Sequence, residues 1–200
     1  KKIVLLLSAM RHYAEVLRGR GFEVEVLKAS SFSEGLKAHT KAHTVSRVVT
    51  MASASYFGRQ AQRRLEETLG LPVEVLPNTQ FLVERFNPIP SPEPEKRYVM
   101  ESFYRAMRKH YDVLMEDGSP VGGQWNYDKE NRKKLPRGVT PPDDLCFDPD
   151  AITLEVMDEV SAFEQGVGTV EGFGYAVTRV GALKAAEVFF SERLAGFGPY

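Results

Sequence analysis

Apolar positions recur along this chain in two rhythms, one helical and one alternating. The helical rhythm opens it: Ile3, Leu6, Leu7, Met10, Ala14 and Leu17 fall on one stripe, and Gly19 and Gly21 supply a stop. Residues 3–7 taken alone also have the length and apolar content of a buried parallel strand. Such a strand would have only Ser8-Ala9 to turn on, without Gly, Pro or Asn, so one long helix over residues 1–21 is preferred to strand-then-helix. Glu23-Val-Glu-Val-Leu27 alternates and predicts a strand. Residues 30–44 begin with cap-type residues, with Ser31 or Ser33 placed to cap a short helix. Residues 47–51 form a short apolar strand, residues 56–69 a basic amphipathic helix ending at Gly70, and residues 72–76 another strand. Strand, helix, strand, helix, strand over residues 23–76 is the pattern that builds a parallel sheet through crossovers.

Four prolines alternate in Asn87-Pro88-Ile-Pro90-Ser-Pro92-Glu-Pro94, which marks an extended linker or surface loop after residues 81–86 close the first half. Helical spacing resumes over residues 95–115, where Tyr98, Met100, Phe103, Tyr104, Met107, Tyr111 and Leu114 recur. Asp148-Pro149 predicts the opening of a helix over residues 150–163, and Thr178 precedes a last helix over residues 181–194. Gly166, Gly168, Gly172 and Gly174 between them have no preceding strand and no helix directly following, so they are not a dinucleotide fingerprint.

Composition narrows the function classes. A net charge of -1 over 200 residues excludes a globally basic nucleic-acid binder, so any such contact comes from a local patch. Arg132, Lys133, Lys134 and Arg137 are the densest positive cluster, with a solvated basic loop as the plain alternative. The single cysteine, Cys146, excludes an internal disulfide framework and any multi-cysteine metal site within the chain. His39 and His43 stand four apart on one helical face, but no further ligand stands nearby in sequence, and a solvated polar face is preferred to a metal site. No apolar run reaches the roughly 18 residues of a membrane span, which makes a cytoplasmic protein the default expectation. No nucleophile–base constellation, phosphate loop or paired acidic metal motif is evident, and His12 and His110 have no recognisable partner in sequence.

Pro120-Val-Gly-Gly-Gln-Trp125-Asn-Tyr127-Asp-Lys-Glu-Asn131-Arg132 stands apart from both rhythms. It joins the only tryptophan to a glycine pair and several side-chain donors, and reads as a structured loop. Together with Ser8-Ala-Met-Arg-His12, Met100-Glu-Ser-Phe-Tyr-Arg-Ala-Met-Arg108 and Glu171-Gly-Phe-Gly-Tyr-Ala-Val-Thr-Arg179, it resembles the bacterial photolyase-related proteins. These are the iron–sulfur branch of the cryptochrome/photolyase family, which includes bacterial (6-4) photolyases. The four blocks keep the family's order and spacing over nearly the whole chain.

The resemblance implies an α/β fold: an incomplete Rossmann-like parallel sheet of the antenna domain over residues 1–87, then a mostly helical and loop-rich linker over residues 88–200. Family members open with two strands that this chain lacks, so residues 24–27 and 48–51 are expected not to pair directly. It implies the antenna-side portion of a light-dependent DNA-repair flavoprotein, with repair enzyme and photoreceptor both open. A lumazine antenna, 6,7-dimethyl-8-ribityllumazine, is implied beside Leu6, Ser8 and Met10. Damaged DNA is the implied partner of Arg132, Lys133 and Lys134. FAD and a 4Fe-4S cluster are expected only in a flavin-binding domain that follows, itself a partner of this segment. The alternative reading is a small-ligand or protein-binding α/β module without light or DNA chemistry.

Overall fold

The computed structural model describes residues 1–129, 134, 136–163 and 167–197. They form two compact units, Lys1–Val26 with Tyr127–Tyr200, and Leu27–Asn126. The proline-rich stretch at residues 87–94 lies inside the second unit.

In the first unit, α1 runs over Lys2–Gly19 as one uninterrupted helix, as the stripe predicts. It packs on α6, Ala151–Ser161. Val4, Val156 and Phe173 form the buried core of this unit, with Leu5, Leu7, Met157, Val160, Val170 and Val177 packed against it. Asp150, rather than Asp148, caps α6: its Oδ1 accepts from the Thr153 backbone N–H at 2.9 Å. The last helix, α7, starts two residues earlier than the sequence suggests and spans Arg179–Val188, because Thr178 Oγ1 accepts from Gly181 N at 3.1 Å and so caps it directly.

The alternating segment at residues 23–27 forms no strand. The Val24 carbonyl, which a ladder would have used, instead accepts from Arg18 Nε at 3.1 Å and from Arg18 Nη2 at 2.7 Å. Alternation supplies a suitable surface, but a strand forms only where its backbone groups find a neighbouring chain.

The second unit begins with α2, Phe32–Ala42, whose cap is Ser31. Strands β1, Val48–Met51, and β2, Val73–Leu76, pair in parallel from Val48↔Val73 to Met51↔Leu76. The basic segment between them is two helices rather than one: α3, Tyr56–Arg63, and α4, Leu65–Leu69. Arg64 at the joint bonds back three residues, to Ala61 O, and Gly70 ends α4 with φ +64°. At the carboxyl end of the strands the Gln62 amide accepts from Ser53 N and donates to Thr50 Oγ1 and Met51 O, and Asn78 Nδ2 donates to Ala52 O. The molecule is therefore mostly helical with a small parallel sheet.

Helix α5, Met100–Tyr111, is shorter at both ends than the spacing over residues 95–115 suggests. Tyr98 instead accepts from the Glu93 N–H at 2.7 Å, and Asp112 leaves the helix at φ +51°. A small antiparallel hairpin follows, β3 (Met115–Glu116) and β4 (Ser119–Pro120). Its turn residues, Asp117 and Gly118, both take positive φ, at 47° and 74°, the geometry that matches the twist of paired strands.

Candidate functional site

Trp125 is placed by what comes before it. Arg108 is 8% exposed, and its guanidinium closes the end of α5 by donating to Val113 O, Leu114 O and Tyr104 Oη. Leu114 O also accepts from Val121 N at 2.9 Å, which ties the hairpin's exit to the helix. These contacts hold Leu114 at φ +52°, a region a branched side chain otherwise avoids. Gly122 and Gly123, with φ 78° and 74°, then turn the chain so that Trp125 lies back along α5.

Three cations surround the Trp125 ring. The guanidinium carbons of Arg105 and Arg108 lie 5.1 and 5.5 Å from its centroid, and Lys109 Nζ lies 5.5 Å away. The negative face of the ring favours such company. One carboxylate answers them: Glu101 Oε1 accepts from Arg105 Nε at 2.9 Å and from Asn126 Nδ2 at 3.3 Å. Among the described residues neither Arg108 nor Lys109 forms an ion pair. The structure thus exposes a basic surface on Arg105 and Lys109. The signal was present as the spacing of 105, 108 and 109 on one helix, but nothing local showed that a tryptophan would fold onto it. Of the predicted cluster, Lys134 is exposed, while Arg132 and Lys133 lie outside the described residues.

The three residues expected at an antenna do not share a face. Leu6 and Met10, four apart on α1, are 55% and 63% exposed. Ser8 is fully buried on the side that packs towards α6, and its Oγ has no hydrogen-bond partner. An advance of two residues turns a helix by more than half a revolution, which separates Ser8 from the other two.

One further constellation was invisible in sequence. His12 Nε2 stands 3.0 Å from Asp150 Oδ2, a close approach whose angle misses that of a hydrogen bond. Beside it Arg11 Nη2 pairs with Glu159 at 2.7 Å. Burial pushes the Asp150 carboxyl up, but donation from the Thr153 N–H and hydroxyl, with His12 alongside, outweighs it and holds the group below its ordinary value. Asp150 also edges a cavity of about 140 Å³ lined by Phe147, Thr153, Phe173, Tyr175 and Thr178. His110 stacks on Phe86 at 3.7 Å, a packing role. His39 of α2 and His43, just past its end, place their rings 4.5 Å apart. Cys146 is exposed. Among the described residues no helix is long and apolar enough to cross a membrane.

Comparison with known proteins adds a second line of evidence. The family described as deoxyribodipyrimidine photo-lyase-related protein matches residues 1–175. A (6-4) photolyase of Agrobacterium fabrum is 35% identical over 205 aligned residues, covering 99% of this chain and 40% of that protein. Uncharacterized protein R852 of Acanthamoeba polyphaga mimivirus is 41% identical over 44 residues, 22% of each chain. The chain therefore spans about two fifths of the length of the photolyase it matches.

Proposed function

The chain belongs to the deoxyribodipyrimidine photo-lyase-related proteins, and on that premise we propose that it forms the antenna-side and linker portion of a flavoprotein that repairs damaged DNA with light. The observation that carries this reading is the similarity to a (6-4) photolyase along 99% of the chain. The parallel pair β1–β2, joined through α3 and α4, is compatible with the sheet of such a domain.

The residues present differ in how they fit each cofactor of the reading. Leu6 and Met10 offer an exposed apolar ridge on α1, a surface on which a flat heteroaromatic antenna packs. Ser8 is buried on the other side of α1. When bound, a lumazine would supply light absorption there; the role of Leu6 and Met10 is to hold its ring and exclude water. A 4Fe-4S cluster needs four thiolates, and Cys146 alone does not fit it. The cluster and the flavin thus belong, in this reading, to a separate flavin-binding domain. Arg132, Lys133 and Lys134 supply phosphate attraction to damaged DNA, with Arg132 the residue suited to a bidentate grip.

Repair itself tests the reading. Ultraviolet-irradiated duplex is incubated with the protein, expressed together with the flavin-binding domain the reading requires, in blue light and in darkness. Loss of pyrimidine photoproducts in the light alone is expected; equal photoproduct counts in light and darkness contradict it.

A further inference from the structure

The cations around Trp125 are more than the loop needs for its own placement. Arg108 is committed to carbonyl oxygens at the end of α5. Arg105 is paired with the Glu101 carboxylate, whose same oxygen also accepts from the neutral Asn126 amide, so the remaining Arg105 N–H groups stay open to a second acceptor. Lys109 is exposed and has the indole ring as its contact. Some positive charge at this end of α5 is what any helix C-terminus favours. That accounts for the sign, but not for three cations drawn to within 5.5 Å of one ring. Gathering like charges costs Coulomb energy that a ring quadrupole only partly offsets. An anion docking against the exposed pair, Arg105 and Lys109, removes that cost.

We propose that Arg105 and Lys109, aligned one helical turn apart and steadied by the Trp125 ring, form a phosphate-gripping surface for nucleic acid. The proposal rests on the DNA reading above for the choice of phosphodiester over carboxylate. A planar guanidinium fork beside a point-charge ammonium also suits phosphate oxygens. The Trp125 ring is half-buried and already faced by cations, so it acts as a post that orients them rather than as a platform for a base. Contacts of this kind carry no sequence or lesion information, so intact and damaged duplex should feel them equally.

The test measures binding of a fluorescein-labelled duplex, intact or carrying one (6-4) photoproduct, by the full chain across a potassium chloride series. Lys109→Gln and Arg105→Gln should each weaken both duplexes about tenfold at low salt. Each should also lower the slope of log affinity against log salt by about one. Lys109→Arg should restore both. Emission from Trp125, the only tryptophan, reports whether the loop stays in place. An unchanged slope in both glutamine variants overturns the proposal, as does a lowered melting temperature with unchanged duplex affinity, which would make the cations a packing device. Loss of polyglutamate binding in the variants with duplex binding intact also overturns it, in favour of an acidic protein partner. If the unsubstituted chain binds neither duplex at low salt, the DNA reading itself fails and the phosphate surface with it.

Discussion

Asp150 does two jobs with one carboxyl group: one oxygen caps α6 and the other approaches His12 of α1. Replacing it by alanine removes the cap and should cost about 1 kcal/mol of stability. The pH dependence has a definite sign. A carboxyl held below its ordinary value in the folded state stabilises that state above the unfolded value, near 4, and loses its contribution as pH falls through the lower folded value. The stability gap between the wild type and Asp150→Ala should therefore be full at neutral pH and should narrow below about pH 4. Urea unfolding of both proteins across an acid series checks this, and a gap that is independent of pH contradicts it. The cap region was legible from Asp148-Pro149, yet two aspartates stand there, and only the bond to Thr153 separates them. His12 could not be paired from sequence at all, because its partner lies far along the chain and meets it only when α1 and α6 pack.

At the scale of elements, α1 was legible because its apolar stripe is long and no turn residues interrupt it. The same reasoning overcalled residues 23–27, where Arg18 takes the Val24 carbonyl, and ran α5 past both its ends. In each case a side chain reached a backbone group that periodicity cannot see. Arg108 is the clearest example, since it bonds Tyr104 of α5 and the Val113 and Leu114 carbonyls that lead into the β3–β4 hairpin, with the Trp125 ring 5.5 Å away. Arg108→Met keeps much of the aliphatic stem and loses these bonds, at an expected cost of about 2 kcal/mol. Trp125 should become more exposed, so its fluorescence should shift to longer wavelength and be quenched more readily by iodide. Emission identical to the wild type would show that the loop is held by other contacts. The turn at Asp117-Gly118 was not read from the sequence, although an Asp-Gly pair suits the two positive φ angles found there.

For the whole molecule, the family was legible in four blocks spread from Ser8 to Arg179, and the match over residues 1–175 bears that out. The sheet was legible in part: residues 47–51 and 72–76 do pair in parallel, while Val49, Met51, Val75 and Leu76 remain exposed. A two-stranded sheet is marginal by itself, and an exposed apolar ridge at Leu6 and Met10 on α1 adds to the apolar surface. Our proposal that this ridge seats an antenna can be tested with light. The direct measurement is an action spectrum of photoproduct repair by the flavin-loaded protein, comparing the wild type with Leu6→Trp, in which a larger ring fills the ridge. The wild type should use wavelengths that a lumazine absorbs and reduced flavin does not, and Leu6→Trp should lose that band while keeping the flavin band. Superimposable spectra, with the antenna band retained in Leu6→Trp or absent from both proteins, would contradict the account.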